Sequence, residues 1–209
     1  MALAAMLGAL AGAGTTAAWL HPDRTTPPTV AGQPDPARVA ELERAEAERN
    51  AQSLEALATF GVGLQDELAP VLEGLHGAHP SDGSTRRTPT GEDVDEWRAS
   101  LEELAVEADA LPSGGTEHNM VRSGFVLTLE LLGSSVDLVE QALSAEPASD
   151  ETLFRLAGAA RDHAVDAFGS AAMQLDNLYV TADKGHLHLV LRAGEGGVPL
   201  DDPHGHPGH

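Results

Sequence analysis

The chain contains no cysteine, which excludes disulfides, thiolate nucleophiles, zinc fingers, iron–sulfur clusters and cysteine-linked haem. Aromatic residues are scarce at 3%. Basic residues are scarce too: 12 Lys and Arg stand against 33 Asp and Glu, a formal net charge of −21. A chain of that sign repels phosphate backbones, so nucleic acid is not an expected partner. The same negative field concentrates cations, metal ions among them. Catalytic signatures are also missing. There is no G-x-S-x-G elbow, no P-loop, no Rossmann glycine pattern and no H-E-x-x-H. The expectation is a protein that is not an enzyme.

What is present is chiefly Ala, Leu and Val in helical patterns, and Ala and Leu have the best helix propensities. Residues 1–20, MALAAMLGALAGAGTTAAWL, carry no charge and end next to Trp19, a residue favoured at membrane interfaces. They read as an apolar signal or membrane-anchor segment. Ala11-Gly12-Ala13 and Thr16-Ala17-Ala18 fit small-x-small cleavage patterns, although the basic start of a secretory signal is missing. Residues 21–36 form a Pro-rich linker. Localisation is therefore expected to be extracytoplasmic, secreted or membrane-anchored.

Residues 37–176 read as an all-α, up-down-up-down four-helix bundle with a long first helix. Asp35 is placed to cap that helix and Pro36 to occupy its first turn. Its first half is highly charged, and the expectation is a projecting stalk. Its second half carries Leu54, Leu57, Gly61, Leu64, Leu68 and Leu75 in alternating steps of three and four. Pro70 should kink it, and its end is expected near Leu75 or His76. Val94, Trp97, Leu101, Leu104 and Ala108 form the seam of a second helix. A third starts at Thr116, with Met120 or Val121, Phe125, Thr128, Leu132 and Val136 inward. Ser149 or Asp150 should cap a fourth, with Leu153, Leu156, Ala160, Ala164, Phe168 and Leu175 inward.

The pattern changes in residues 177–192. Leu178–Thr181 is β-branched and aromatic, His186–Leu191 alternates strictly, and Asp183-Lys184-Gly185 lies between as a turn. The expectation is a small C-terminal β-hairpin, which would have to pack on the bundle or pair with another chain. Residues 193–209 are a Gly/Pro/His-rich tail of disordered composition.

The chemistry sits at this C-terminal end. His186 and His188 are two apart, so on an extended chain both rings share a face, about 7 Å apart at the backbone. The tail adds Asp201, Asp202, His204, His206 and His209. Imidazoles with carboxylates suit Cu, Ni or Zn, so the expected cofactor is a transition metal ion. For His186 and His188 the simpler explanation is the exposed face of a half-buried strand. In an up-down-up-down bundle the fourth helix ends where the first begins, which would put these histidines beside the N-terminal anchor.

Three other groups point to less. Glu73 and His76 form a single E-x-x-H, with His79 three residues on, where a di-iron bundle needs two such motifs and two further glutamates. His163 sits between Ala160 and Ala167 and is expected to be partly buried. Glu130 and Asp137 are placed to face it but are more often solvated.

The sequence thus favours a membrane-targeted helical bundle that binds a transition metal through C-terminal histidines, for buffering, delivery or sensing. The alternative is a structural or protein-interaction module in which the histidines are incidental. Its partner would be a membrane protein or a second copy of the chain.

Overall fold

The computed structural model describes residues 35–81 and 84–192. Four helices follow in order: α1 (Pro36–Ala78), α2 (Gly91–Ala110), α3 (Thr116–Ser144) and α4 (Pro147–Thr181). They form a four-helix bundle. Trp97 of α2 lies on Gly74 of α1, Ser53 of α1 bonds the Pro112 carbonyl after α2, and Gly158 of α4 meets His79 after α1. Successive helices therefore run antiparallel. The most extensive interhelical contact is between α3 and α4, while α2 and α4 do not touch.

The helix ends follow local chemistry. The Asp35 carboxylate accepts the Ala37 N–H at 3.0 Å, as expected of an N-cap, and Pro36 occupies the first turn, where no N–H is needed. Thr90 and Asp93 close a reciprocal capping box at the start of α2. The Asp93 carboxylate accepts from the Thr90 N–H at 2.7 Å and from its hydroxyl at 2.8 Å, which holds it below the usual carboxylate range. α4 begins at Pro147, not at Ser149, because a proline that ends one helix is equally suited to open the next.

α1 is about twice as long as α2, with 43 residues against 20. Its first buried residue is Ser53, and Asn50 Oδ1 already accepts the Gly115 N–H at 2.8 Å, so residues 36–49 are a helical arm beyond the bundle core, as the charge pattern suggested. The helix continues through Pro70, which is exposed, so the backbone group it frees can turn to water. It runs to Ala78, slightly beyond the expected end.

Leu57, Leu64, Leu68 and Leu72 of α1 are completely or almost completely buried. Phe125 touches Phe60 edge-on and lies tilted on Phe168, with centroids 5.7 and 5.6 Å apart. Small residues let α3 and α4 approach closely. A Cβ on Gly124 would stand 2.7 Å from the Ala171 methyl, and the buried Ser135 hydroxyl donates to the Ala157 carbonyl at 2.8 Å.

Two expectations for α4 need correction. Its first half is rotated relative to the expected seam: Phe154, Ala157 and Arg161 point inward, and Leu156 is 41% exposed. His163 is exposed, not partly buried. Both follow from Arg161, a fully buried side chain. Its Nη1 donates to the carbonyls of Leu75 at 3.3 Å and His79 at 2.9 Å, and its Nε and Nη2 grip the Asp162 carboxylate at 2.9 and 2.7 Å. The last carbonyls of a helix lack intrahelical donors and carry partial negative charge, which a guanidinium satisfies. A hydrophobic pattern read alone assigns such a residue to the surface.

The predicted hairpin is absent. Leu178–Thr181 are the last residues of α4, and no strand occurs among the described residues. Leu178 is buried and extends the inner face of the helix, so packing overrides the β propensity of its neighbours. The expected turn is present but does a different job. Asp183 takes a left-handed conformation (φ 56°), its N–H reaches the Val180 carbonyl at 3.1 Å, and the Lys184 N–H reaches that of Tyr179 at 3.0 Å. This is a Schellman cap, which ends α4 and reverses the chain together with Gly185 (φ 84°).

Candidate functional site

Beyond Gly185 the chain runs extended across the bundle as a strap. Its two-residue period is real: Leu187 is half-buried, Leu189 and Leu191 are buried, and His186 and His188 are exposed. The opposing surface is made of helices, not of a second strand. Side chains supply the bonds a strand would have supplied: Asp176 of α4 accepts the Leu187 N–H, and Gln65 of α1 accepts the Val190 N–H, each at 2.7 Å. Lys184 is tied to Glu55, whose hydrogen bond, and then whose charge, raise its pKa. Leu189 fills the space above Gly61, where a Cβ would stand 2.7 Å from its methyl.

The strap brings the two predicted histidines together. The His186 and His188 rings stack with centroids 5.6 Å apart and planes 9° from parallel. The Asp176 carboxylate lies 3.1 Å from His186 Nδ1, so one side chain holds both the strap backbone and the first imidazole. Sequence reading missed Asp176 and Gln65. A carboxylate or amide on the outer face of a helix carries no mark of what will lie across it.

The Leu187 N–H chiefly, with the His186 hydrogen bond and the charges of His186 and His188, holds the Asp176 carboxyl below the usual range. A carboxyl whose folded pKa is lowered contributes stabilisation above its unfolded value, near ~3.9, and loses it as pH falls through the lower folded value. The strap is therefore expected to stay latched at neutral pH and to loosen only below about pH 4. At neutral pH, Asp176→Ala should speed hydrogen exchange of the Leu187 amide about tenfold, the worth of one such bond to a charged acceptor. An unchanged rate would show that the leucines alone seat the strap.

Asp201, Asp202, His204, His206 and His209 lie outside the described residues, as do residues 1–34. Among the described residues no three His, Asp or Glu side chains converge to hold a metal ion. Glu73 is exposed, and His79 packs on Gly158, where a Cβ would meet its ring at 2.4 Å. The strap runs from Glu55 past Gln65, roughly 15 Å along α1 from the end where α4 stops. No described helix is long and apolar enough to cross a membrane.

The fold defines a four-helix bundle with a C-terminal strap carrying a stacked histidine pair. No known protein family, curated protein or solved structure matches the chain.

Proposed function

We propose that the protein is a membrane-targeted, extracytoplasmic and non-enzymatic helical bundle that binds a transition metal ion, Cu, Ni or Zn, through its C-terminal histidines. Buffering, delivery and sensing are the roles such a site serves. The observation that carries this reading is the Asp176–His186 contact beside the exposed His188 ring. A carboxylate on one ring nitrogen orients a metal-ligating histidine, leaving the other nitrogen for the cation. His186 and His188 supply two donors, and His204, His206, His209, Asp201 and Asp202 supply the rest. The acidity of the chain raises the local cation concentration.

Calorimetric titration of Cu(II), Ni(II) and Zn(II) tests it. Replacing both His186 and His188 with alanine is expected to weaken binding by at least about tenfold, and lowering the pH from 7.5 to 5 should weaken it further, because imidazolium cannot ligate. Equal affinity of the double variant removes the pair from the site. No binding to the intact chain overturns the reading.

The exposed arm of α1, residues 36–49, favours the second reading, a structural or protein-interaction module. A chain that binds no ion yet self-associates through that arm would fit it.

A further inference from the structure

Between the strap and α4 lies a slot of about 220 Å³. Val165, Gly169, Ala172 and Met173, which share one face of the helix, form its α4 wall. Leu187, Leu189 and Leu191 of the strap form the other. The slot follows α4 from Val165 to Asp176, about 16 Å, and the strap from Leu187 to Leu191 covers about 13 Å of it. Its polar groups gather at one end. Asp176 ends the helix wall there, and His186 with the stacked His188 begins the strap wall. From that end to Val165 and Leu191 no wall residue carries a polar side chain. Met173 is 61% exposed, so the slot is reached from solvent.

We propose that this slot binds a small aliphatic amine, with its ammonium at Asp176 and His186 and its hydrocarbon chain along Met173, Ala172 and Val165. Size sets the chain. An apolar cavity of about 150 Å³ takes a benzene molecule, so 220 Å³ takes about six to eight carbons. That volume spread over about 16 Å is narrow, which suits an unbranched chain better than a ring. Charge sets the head. A carboxylate only accepts hydrogen bonds, so the His186 Nδ1 beside it carries the hydrogen and Nε2 is left to accept. Asp176 gives one position to the Leu187 N–H and one to His186, of about four that a carboxylate offers. Both side chains therefore present acceptors to the head. No Lys or Arg lines the slot to pair with an anion, and the net charge of −21 draws cations and repels anions. The slot does not rest on the metal reading. An ion on His186 would compete for the same nitrogen, so the test is made with chelator present.

Methionine-methyl NMR of the full chain, titrated with butylamine, hexylamine, hexanol and hexanoate, reads both place and affinity. The Met173 methyl is expected to move at hexylamine concentrations that leave Met120 in place, since Met120 is 60% exposed on α3 and does not line the slot. Equal shifts of the two, or no shift of Met173, overturn the site. Affinity is expected to rise about fourfold for each buried methylene, hence about sixteenfold from butylamine to hexylamine. An affinity indifferent to chain length overturns the apolar slot. Hexylamine is expected to bind at least about tenfold more tightly than hexanol, because a charged donor meets a carboxylate, and hexanoate is expected to bind least. Hexanol or hexanoate binding as tightly as hexylamine overturns the cationic head. Gly169→Leu places a side chain in the slot and raises helix propensity, and it is expected to weaken hexylamine binding at least about tenfold. Unchanged affinity in that variant places the ligand elsewhere and overturns the proposal. With ions held by chelator, these outcomes stand whether or not the chain binds a metal.

Discussion

Arg161→Ala is expected to lower the unfolding free energy by about 3 kcal/mol, since it strips the charged donor from the His79 carbonyl, leaves the Leu75 carbonyl with the His79 N–H alone, and leaves a void. In a chain of this size that is a fall of roughly 6–12 °C in the thermal midpoint. The side chain is fully buried, and its Nη1 bonds the carbonyls of Leu75 and His79 at the end of α1. Removing it leaves those carbonyls without their charged donor. Arg161→Lys should recover only part of the loss. An ammonium keeps the charge but cannot reach two carbonyls and grip Asp162 with one planar fork. Urea unfolding followed by circular dichroism checks both. A lysine variant as stable as the native chain would show that charge alone matters there, and an alanine variant within 1 kcal/mol of it would dismiss the clamp.

Gly74→Ala should be the second large loss. At an open helical site the change would stabilise by up to about 1 kcal/mol. Here the added Cβ would stand 2.2 Å from Cζ2 of Trp97 and 2.6 Å from its Cε2. The indole is 6% exposed and has little room to retreat. The expected net cost is about 2–3 kcal/mol of overpacking. Gly63→Ala is the internal control, since a Cβ there meets nothing within 4 Å, and it should stabilise by about 0.5–1 kcal/mol. In a Trp97→Leu background the Gly74→Ala penalty should largely vanish, a coupling that a double-mutant cycle measures directly. Persistence of the full penalty would place the strain elsewhere.

Much of the bundle is legible without tertiary information. Periods of three and four in α1, α2 and α3 mark faces that are buried, from Leu54 to Leu75, Val94 to Ala108 and Val121 to Val139. Asp35 caps α1 as its chemistry dictates, and α3 starts at Thr116 as the pattern indicates, after an N-cap glycine that makes no side-chain bond. The stacked pair of the candidate site, His186 and His188, was legible as a shared face; its partner Asp176 was not.

Sequence by itself determined four amphipathic helices, their order, the exposed arm of α1 and the extended character of residues 186–191. Each of these depends on a local period or on a cap within a few residues. Tertiary structure decided what those segments meet. A periodic pattern assigns polar residues outward, so Arg161 became an inner residue only because α1 brings the His79 carbonyl to it from 82 positions away. Strict alternation means that one face of an extended chain is covered, and it says nothing of the cover. Here helices α1 and α4 cover it, with Gln65 and Asp176 taking the hydrogen bonds, and a segment that reads as half a hairpin becomes a strap. The same decision aligned two imidazoles beside a carboxylate, because pairing to a helix groove leaves the outward face of the strap open.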